Sequence, residues 1–154
     1  MLCRSYAKVK IYNELRRTMA EHQYTGSCLC GEIQYQIDGE IGTIVQCHCQ
    51  KCRKANGTAF ATNAPVAKSA FKFTKGEKFL KQYQSSESTV RHFCGNCGSP
   101  ILSTKAATPE FYRLRIGTLD TPLEHKPAQH LFVTSKAEWD VIYDDLPQFE
   151  GFPK

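Results

Sequence analysis

The sequence predicts one mainly-β domain whose turns are stapled by metal. Three observations carry that expectation. Short stretches alternate apolar and polar residues at the period of a strand. Turn signals such as Asp38-Gly39 and Lys75-Gly76 break them. Seven of the eight cysteines fall in tight clusters. The 154 residues suffice for one domain with its own core. A hydrophobic fraction of 41% and a negative mean hydropathy fit a globular chain. No apolar run approaches the roughly 20 residues that span a bilayer, so no membrane partner is expected.

Charge divides the chain. The net charge is +5. Residues 1–18 carry Arg4, Lys8, Lys10, Arg16 and Arg17 against Glu14, a balance of +4, which leaves the remainder near neutral. That balance does not demand a nucleic-acid partner. The basic leader has three readings. Val9, Tyr12, Leu15 and Met19 recur at helical spacing. Its Arg content and scarcity of acids suit a transit-like peptide. Met19 followed by Ala20-Glu21-His22 also makes a start of translation. Residues 1–23 are therefore expected to be an extension outside the functional domain, and residues 24–154 to form that domain. The leader lacks the apolar core of a secretory signal, which points to a reducing, cytoplasmic setting.

Taken in order, the elements begin near Tyr24. In EIQYQI, Ile33, Tyr35 and Ile37 alternate with polar residues. IGTIVQ leads into the densest cysteine cluster, and KCRKANG forms one short helical turn. AFKFT alternates Phe71 and Phe73 and turns into KFLKQY. STVRHF runs into Cys94, FYRLRI alternates Tyr112, Leu114 and Ile116, and HLFVT is a further strand. SKAEW makes a second short turn, and Pro147 and Pro153 end the chain in irregular structure. No solenoid repeat or low-complexity segment is present.

The cysteines are Cys3, Cys28, Cys30, Cys47, Cys49, Cys52, Cys94 and Cys97. In a reducing compartment such clusters more often bind metal than form disulfides, and pairs one or two residues apart make strained local bridges. Cys28-Leu29-Cys30-Gly31 and Cys94-Gly95-Asn96-Cys97-Gly98 supply four thiolates, the closed shell of a structural zinc, with Gly95 and Gly98 allowing a tight backbone path. Cys47-His48-Cys49-Gln50-Lys51-Cys52 supplies three. Three protein ligands with one open position is the pattern of a reactive zinc. The alternative is a second closed site completed by Cys3, His48 or His92. His48 lies between two ligands and is expected to point away into packing or hydrogen bonds. His92 is also a candidate donor to the ligands.

These motifs, Ser27-Cys-Leu-Cys-Gly31, Cys47-His-Cys-Gln-Lys-Cys-Arg-Lys54 and Phe93-Cys-Gly-Asn-Cys-Gly98, resemble the glutathione-dependent formaldehyde-activating enzyme (GFA)/centromere protein V family. The tail is similar as well, in His130-Leu-Phe-Val, Ser135-Lys-Ala-Glu-Trp139 and Asp145-Leu-Pro-Gln-Phe149. The resemblance covers roughly Tyr24 to Phe149. It implies an Mss4-like fold of zinc-stapled antiparallel β-sheets. It implies a structural zinc on Cys28, Cys30, Cys94 and Cys97 and a catalytic zinc on Cys47, Cys49 and Cys52. It also implies a carbon–sulfur lyase or synthase that joins a small thiol such as glutathione to an aldehyde, formaldehyde in the named activity. Glutathione carries two carboxylates, and Arg53 and Lys54 are the first candidates to hold them, a solvated turn being the equal alternative. His130 and Trp139 are further candidates for a pocket wall, with core packing favoured for Trp139. Two other functions stay open: a non-catalytic zinc module that binds protein or nucleic acid, and a redox protein using Cys49 or Cys52.

Overall fold

A computed structural model describes residues 23–153. The leader readings, and Cys3 with them, fall outside the described residues. The chain is mainly β, as the alternation predicts. Strands β1 (Gln23–Ser27), β2 (Gln34–Asp38) and β5 (Phe71–Lys75) make a three-stranded antiparallel sheet in the order β1-β2-β5. The second sheet holds β3 (Val45–Cys47), β4 (Ala61–Ala67), β6 (Leu80–Ser86), β7 (Thr89–Cys94), β8 (Pro100–Lys105), β9 (Phe111–Arg115), β10 (Gln129–Leu131) and β11 (Gln148–Phe149). Its order is β11-β10-β3-β4-β9-β8-β7-β6. Between β3 and β4 lies the short helix α1 (Gln50–Asn56), where KCRKANG predicts it. SKAEW holds a turn, closed by the Asp140 N–H donating to the Ala137 carbonyl at 3.1 Å, and a 3-10 turn spans Val133–Ser135 just before it.

The antiparallel expectation needs one correction. β10 runs parallel to both β3 and β11. It enters the sheet edge after a long excursion from β9 rather than through a hairpin, so nothing forces the direction to reverse.

The core lies between the small sheet and one face of the large one. Tyr24, Ile33, Tyr35 and Ile37 meet Ala64, Val66, Leu102 and Leu114, all buried. Phe71 stacks on Tyr35 with centroids 5.0 Å apart and meets Tyr112 edge-on at 5.2 Å, joining the sheets through aromatic contacts. The only polar atom that Tyr35 brings inside is satisfied, since its hydroxyl hydrogen-bonds Thr118 Oγ1 at 2.7 Å.

Because side chains alternate across a strand, the register sets what the other face presents. Val45 pairs with Asn63 and Asn63 with Arg115; Pro65 pairs with Arg113, Arg113 with Ser103 and Ser103 with Arg91. All of these face away from the small sheet. The larger sheet is thus apolar on its inner face and cationic on its outer one.

Candidate functional site

The first sulfur cluster joins the two sheets. Cys28 and Cys30 sit in the turn between β1 and β2, while Cys94 ends β7 and Cys97 lies in the turn to β8. Their sulfurs all lie within 4.8 Å of one another. Cys28 and Cys30 are 3.5 Å apart and Cys30 and Cys94 3.9 Å. Four thiolates placed tetrahedrally at a Zn–S distance of 2.3 Å are separated by roughly 3.8 Å, so the group fits zinc. The described cysteines are free thiols. Backbone and side-chain donors reach the sulfurs: the Ile33 N–H donates to Cys28 and the Asn96 amide to Cys30, each at 3.3 Å. The Ser99 hydroxyl beside Cys97 holds that thiol down at about 5, whereas burial pushes Cys94 up to about 11. Gly98 has φ 77°, the left-handed conformation expected of it. Gly95 does not; a Cβ there would stand 2.7 Å from Lys81 Cγ and 3.0 Å from the Phe79 carbonyl, so close packing is its reason.

The second cluster is local. Cys47 ends β3, Cys49 caps α1 by accepting from the Cys52 N–H at 3.4 Å, and Cys52 lies in the first turn of that helix. The three sulfurs lie within 4.8 Å of one another, and among the described residues no fourth Cys, His, Asp or Glu joins them. His48 turns away, as its position between two cysteines suggests. It is wholly buried, with Nε2 bonded to His130 Nδ1 at 2.9 Å and Nδ1 facing Asp140 at 3.6 Å. His130 in turn bonds Asp144 at 3.0 Å. His92 does not join the trio; its buried Nε2 meets no partner. Hydrogen bonds from Cys47 and Cys49 draw Cys52 strongly down, and Arg91 and Arg115 add to this. The same contacts push Cys47 up.

A cavity of about 330 Å³ opens over Cys47, Cys49 and Cys52, on the outer face of the large sheet. Lys51, Arg91, Lys105, Arg113 and Arg115 line it, and among the described residues no aspartate or glutamate does. The Arg91 Nη2 donates toward Cys52 Sγ at 3.9 Å. Phe132 and Phe152 close one side, in edge-on contact at 5.0 Å, with Lys105 Nζ 4.1 Å from the Phe152 centroid.

Three expectations change here. Arg53 and Lys54 do not line the cavity, although Lys51, on the other side of Cys52, does. A helix turns about 100° per residue, so residues directly after Cys52 leave the face that Lys51 and Cys52 share. Trp139 is 72% exposed rather than core. His130 borders a separate depression on the far side of β10. Sequence reasoning missed Arg91, Lys105, Arg113 and Arg115. A signal was present: in FYRLRI the apolar residues alternate with Arg113 and Arg115. The outer face of a strand reads as solvent unless another element is known to cover it.

These features define a class: a β protein of two sheets carrying one four-cysteine and one three-cysteine cluster, each of which can hold zinc. The chain belongs to the glutathione-dependent formaldehyde-activating enzyme family, whose pattern matches residues 23–135. It is similar to an uncharacterized lyase of Schizosaccharomyces pombe, 29% identical over 79 residues, which are 51% of this chain and 56% of that protein. The match thus spans little more than half the length of this curated relative. Its fold is similar to the crystal structure of a Rhodobacter sphaeroides protein, with TM-score 0.55 and 23% identity over 65% of this chain and 91% of that one.

Proposed function

We propose that the protein is a zinc-dependent carbon–sulfur lyase or synthase acting on the adduct of a small thiol and an aldehyde, of the S-(hydroxymethyl)glutathione kind. Family membership supports the general type of chemistry. The observation that carries the reading is the placement of Cys47, Cys49 and Cys52 on the floor of a cation-lined cavity. Those three cysteines would hold the reactive zinc with one position open, and Cys28, Cys30, Cys94 and Cys97 a closed structural one. A bound zinc supplies Lewis acidity, which lowers the pKa of a thiol brought to it.

The protein's own part is binding and charge. Arg91 and Arg115 hold negative charge beside Cys52. Cations on the wall orient the anionic groups of the substrate, and Phe132 and Phe152 limit water. In the synthetic direction the thiolate sulfur attacks the aldehyde carbon. A C–S bond forms, the C=O π pair moves to oxygen, and oxygen takes a proton. Cleavage is the reverse. Proximity of the two reactants supplies part of the rate.

The test is adduct exchange between glutathione and formaldehyde, followed by NMR with protein carrying two zinc ions per chain. We expect faster exchange, lost in Cys52→Ala while one zinc is retained. No acceleration with glutathione or any other small thiol would sink the proposal. A second reading, a non-catalytic interaction module, is favoured by one observation: Trp139, Val141 and Tyr143 are exposed at alternate positions of one segment. A fully zinc-loaded but inactive protein that captures a partner through this segment would establish it.

A further inference from the structure

We propose that the thiol this cavity selects carries only anionic polar groups, as a mercapto-carboxylate or a phosphate-bearing thiol does, and that Lys51, Lys105 and Arg113 select it. The inference rests on the reading above that the trio leaves a position for a thiolate. It adds what must surround that sulfur.

Charge balance divides the cations in two. Three thiolates around a divalent ion carry a net −1, and an incoming thiolate makes −2. Arg91 reaches Cys52 at 3.9 Å. Arg115 is 6% exposed, its Nε is buried without an acceptor, and it acts electrostatically on Cys52. These two guanidiniums match the charge of the loaded centre. Lys51, Lys105 and Arg113 remain, with no acidic residue among the described residues of the wall to face them.

Their placement is built into the sheet. Lys105 and Arg113 come from neighbouring strands, β8 and β9, on the face that Ser103 and Arg115 share. They crowd each other: burial, and then Arg113, hold the Lys105 ammonium below its ordinary range. The Arg113 Nε is buried and unpartnered. The Phe152 ring offers Lys105 a π face but no negative charge. Confining such cations together is unfavourable until an anion joins them.

A zwitterionic thiol fits this wall poorly. Glutathione brings two carboxylates and also an ammonium, which would enter a cavity lined, among the described residues, by five cations and no carboxylate side chain. Selection against the ammonium therefore comes from repulsion, and selection for extra anions from Lys51, Lys105 and Arg113.

The test places cobalt(II) at the three-cysteine site and follows its thiolate charge-transfer absorption at low ionic strength. Mercaptosuccinate, phosphopantetheine, glutathione, 2-mercaptoethanol and cysteamine are titrated in turn. We expect the tighter of the two anionic probes to bind at least about tenfold more tightly than glutathione, with cysteamine weakest and the spread narrowing as salt is added. Which anionic probe leads identifies carboxylate or phosphate as the preferred group. Arg113→Gln, with Lys105→Gln as a second variant should the first not fold, should cut the preference for that probe over 2-mercaptoethanol about tenfold. Thiols that all bind with similar affinity, or a preference that both substitutions leave unmoved, overturn the inference alone. If no thiol perturbs the cobalt spectrum, the open position itself is wrong and the inference falls with it.

Discussion

At the residue scale, the site combines groups that announce themselves with groups that do not. Seven clustered cysteines are legible because thiolates two or three positions apart have few purposes other than metal. The role of His48 was legible for the same local reason, since neighbours at alternate positions took the metal side. Arg91, Lys105, Arg113 and Arg115 were not, because nothing in a strand sequence says which face another element will roof over. Trp139 misled through its size: large aromatics usually bury, but this one lies in an exposed turn. The Asp144–His130–His48 chain yields a residue-level prediction. The hydrogen bond from His130 holds the Asp144 carboxylate below the ordinary range. A depressed carboxylate contributes stability that is present above its unfolded pKa of about 4 and is lost as pH falls through the folded value. Asp144→Asn should therefore leave unfolding at pH 7 with a smaller stability and flatten its decline below about pH 4. Urea unfolding across that range reads both; a decline as steep as in the parent would remove Asp144 from the account.

At the scale of elements, period-two alternation located β2, β5 and β9 because each has one apolar and one polar face. It missed β4 and β8 for identifiable reasons. β4 reads Ala-Thr-Asn-Ala-Pro-Val-Ala, with small residues in place of large ones and a proline inside. Pro65 is tolerated because its carbonyl, accepting from the Gly42 N–H at 2.9 Å, is the group in use on that side. In β8, Ile101 and Leu102 are consecutive and both buried. The register between β7 and β8 shifts by one residue there, His92 pairing with Leu102 and Phe93 with Pro100. The bulge absorbs Ile101 and hides the alternation. β9 is the strand on which core and cavity depend together, with Leu114 inward and Arg113 and Arg115 outward. Leu114→Ala should cost about 2–5 kcal/mol in chemical denaturation, since the residue is fully buried between sheets. A cost under about 1 kcal/mol would mean that the packing relaxes into the space, and that β9 is not held rigidly behind the guanidiniums.

At the scale of the whole molecule, the two cysteine clusters, each holding zinc under the proposed function, should differ in what loss of metal does to the fold. The four-cysteine centre links the small sheet to the large one through Cys30 and Cys94, 64 positions apart. The three-cysteine centre spans five positions, from Cys47 to Cys52. The entropy of closing a loop grows with the logarithm of its length, so the long link constrains the unfolded chain by ~2 kcal/mol more than the short one. The gain from binding adds to that difference, because metal held only by the folded state stabilises it. The first cluster is also closed by protein and braced by Ile33 and Asn96, while the second faces the cavity. A graded chelator titration should therefore remove zinc in two steps. The first should change the far-ultraviolet spectrum and the melting temperature little; the second should end cooperative unfolding. Substitution should separate the same events: Cys52→Ala keeps one zinc and a melting temperature within a few degrees of the parent, whereas Cys28→Ser loses the folded state at 37 °C. Unfolding with the first zinc, or a stable Cys28→Ser protein, would show that the sheets hold together by their aromatic core, and that the four-cysteine centre is not the clasp its position suggests.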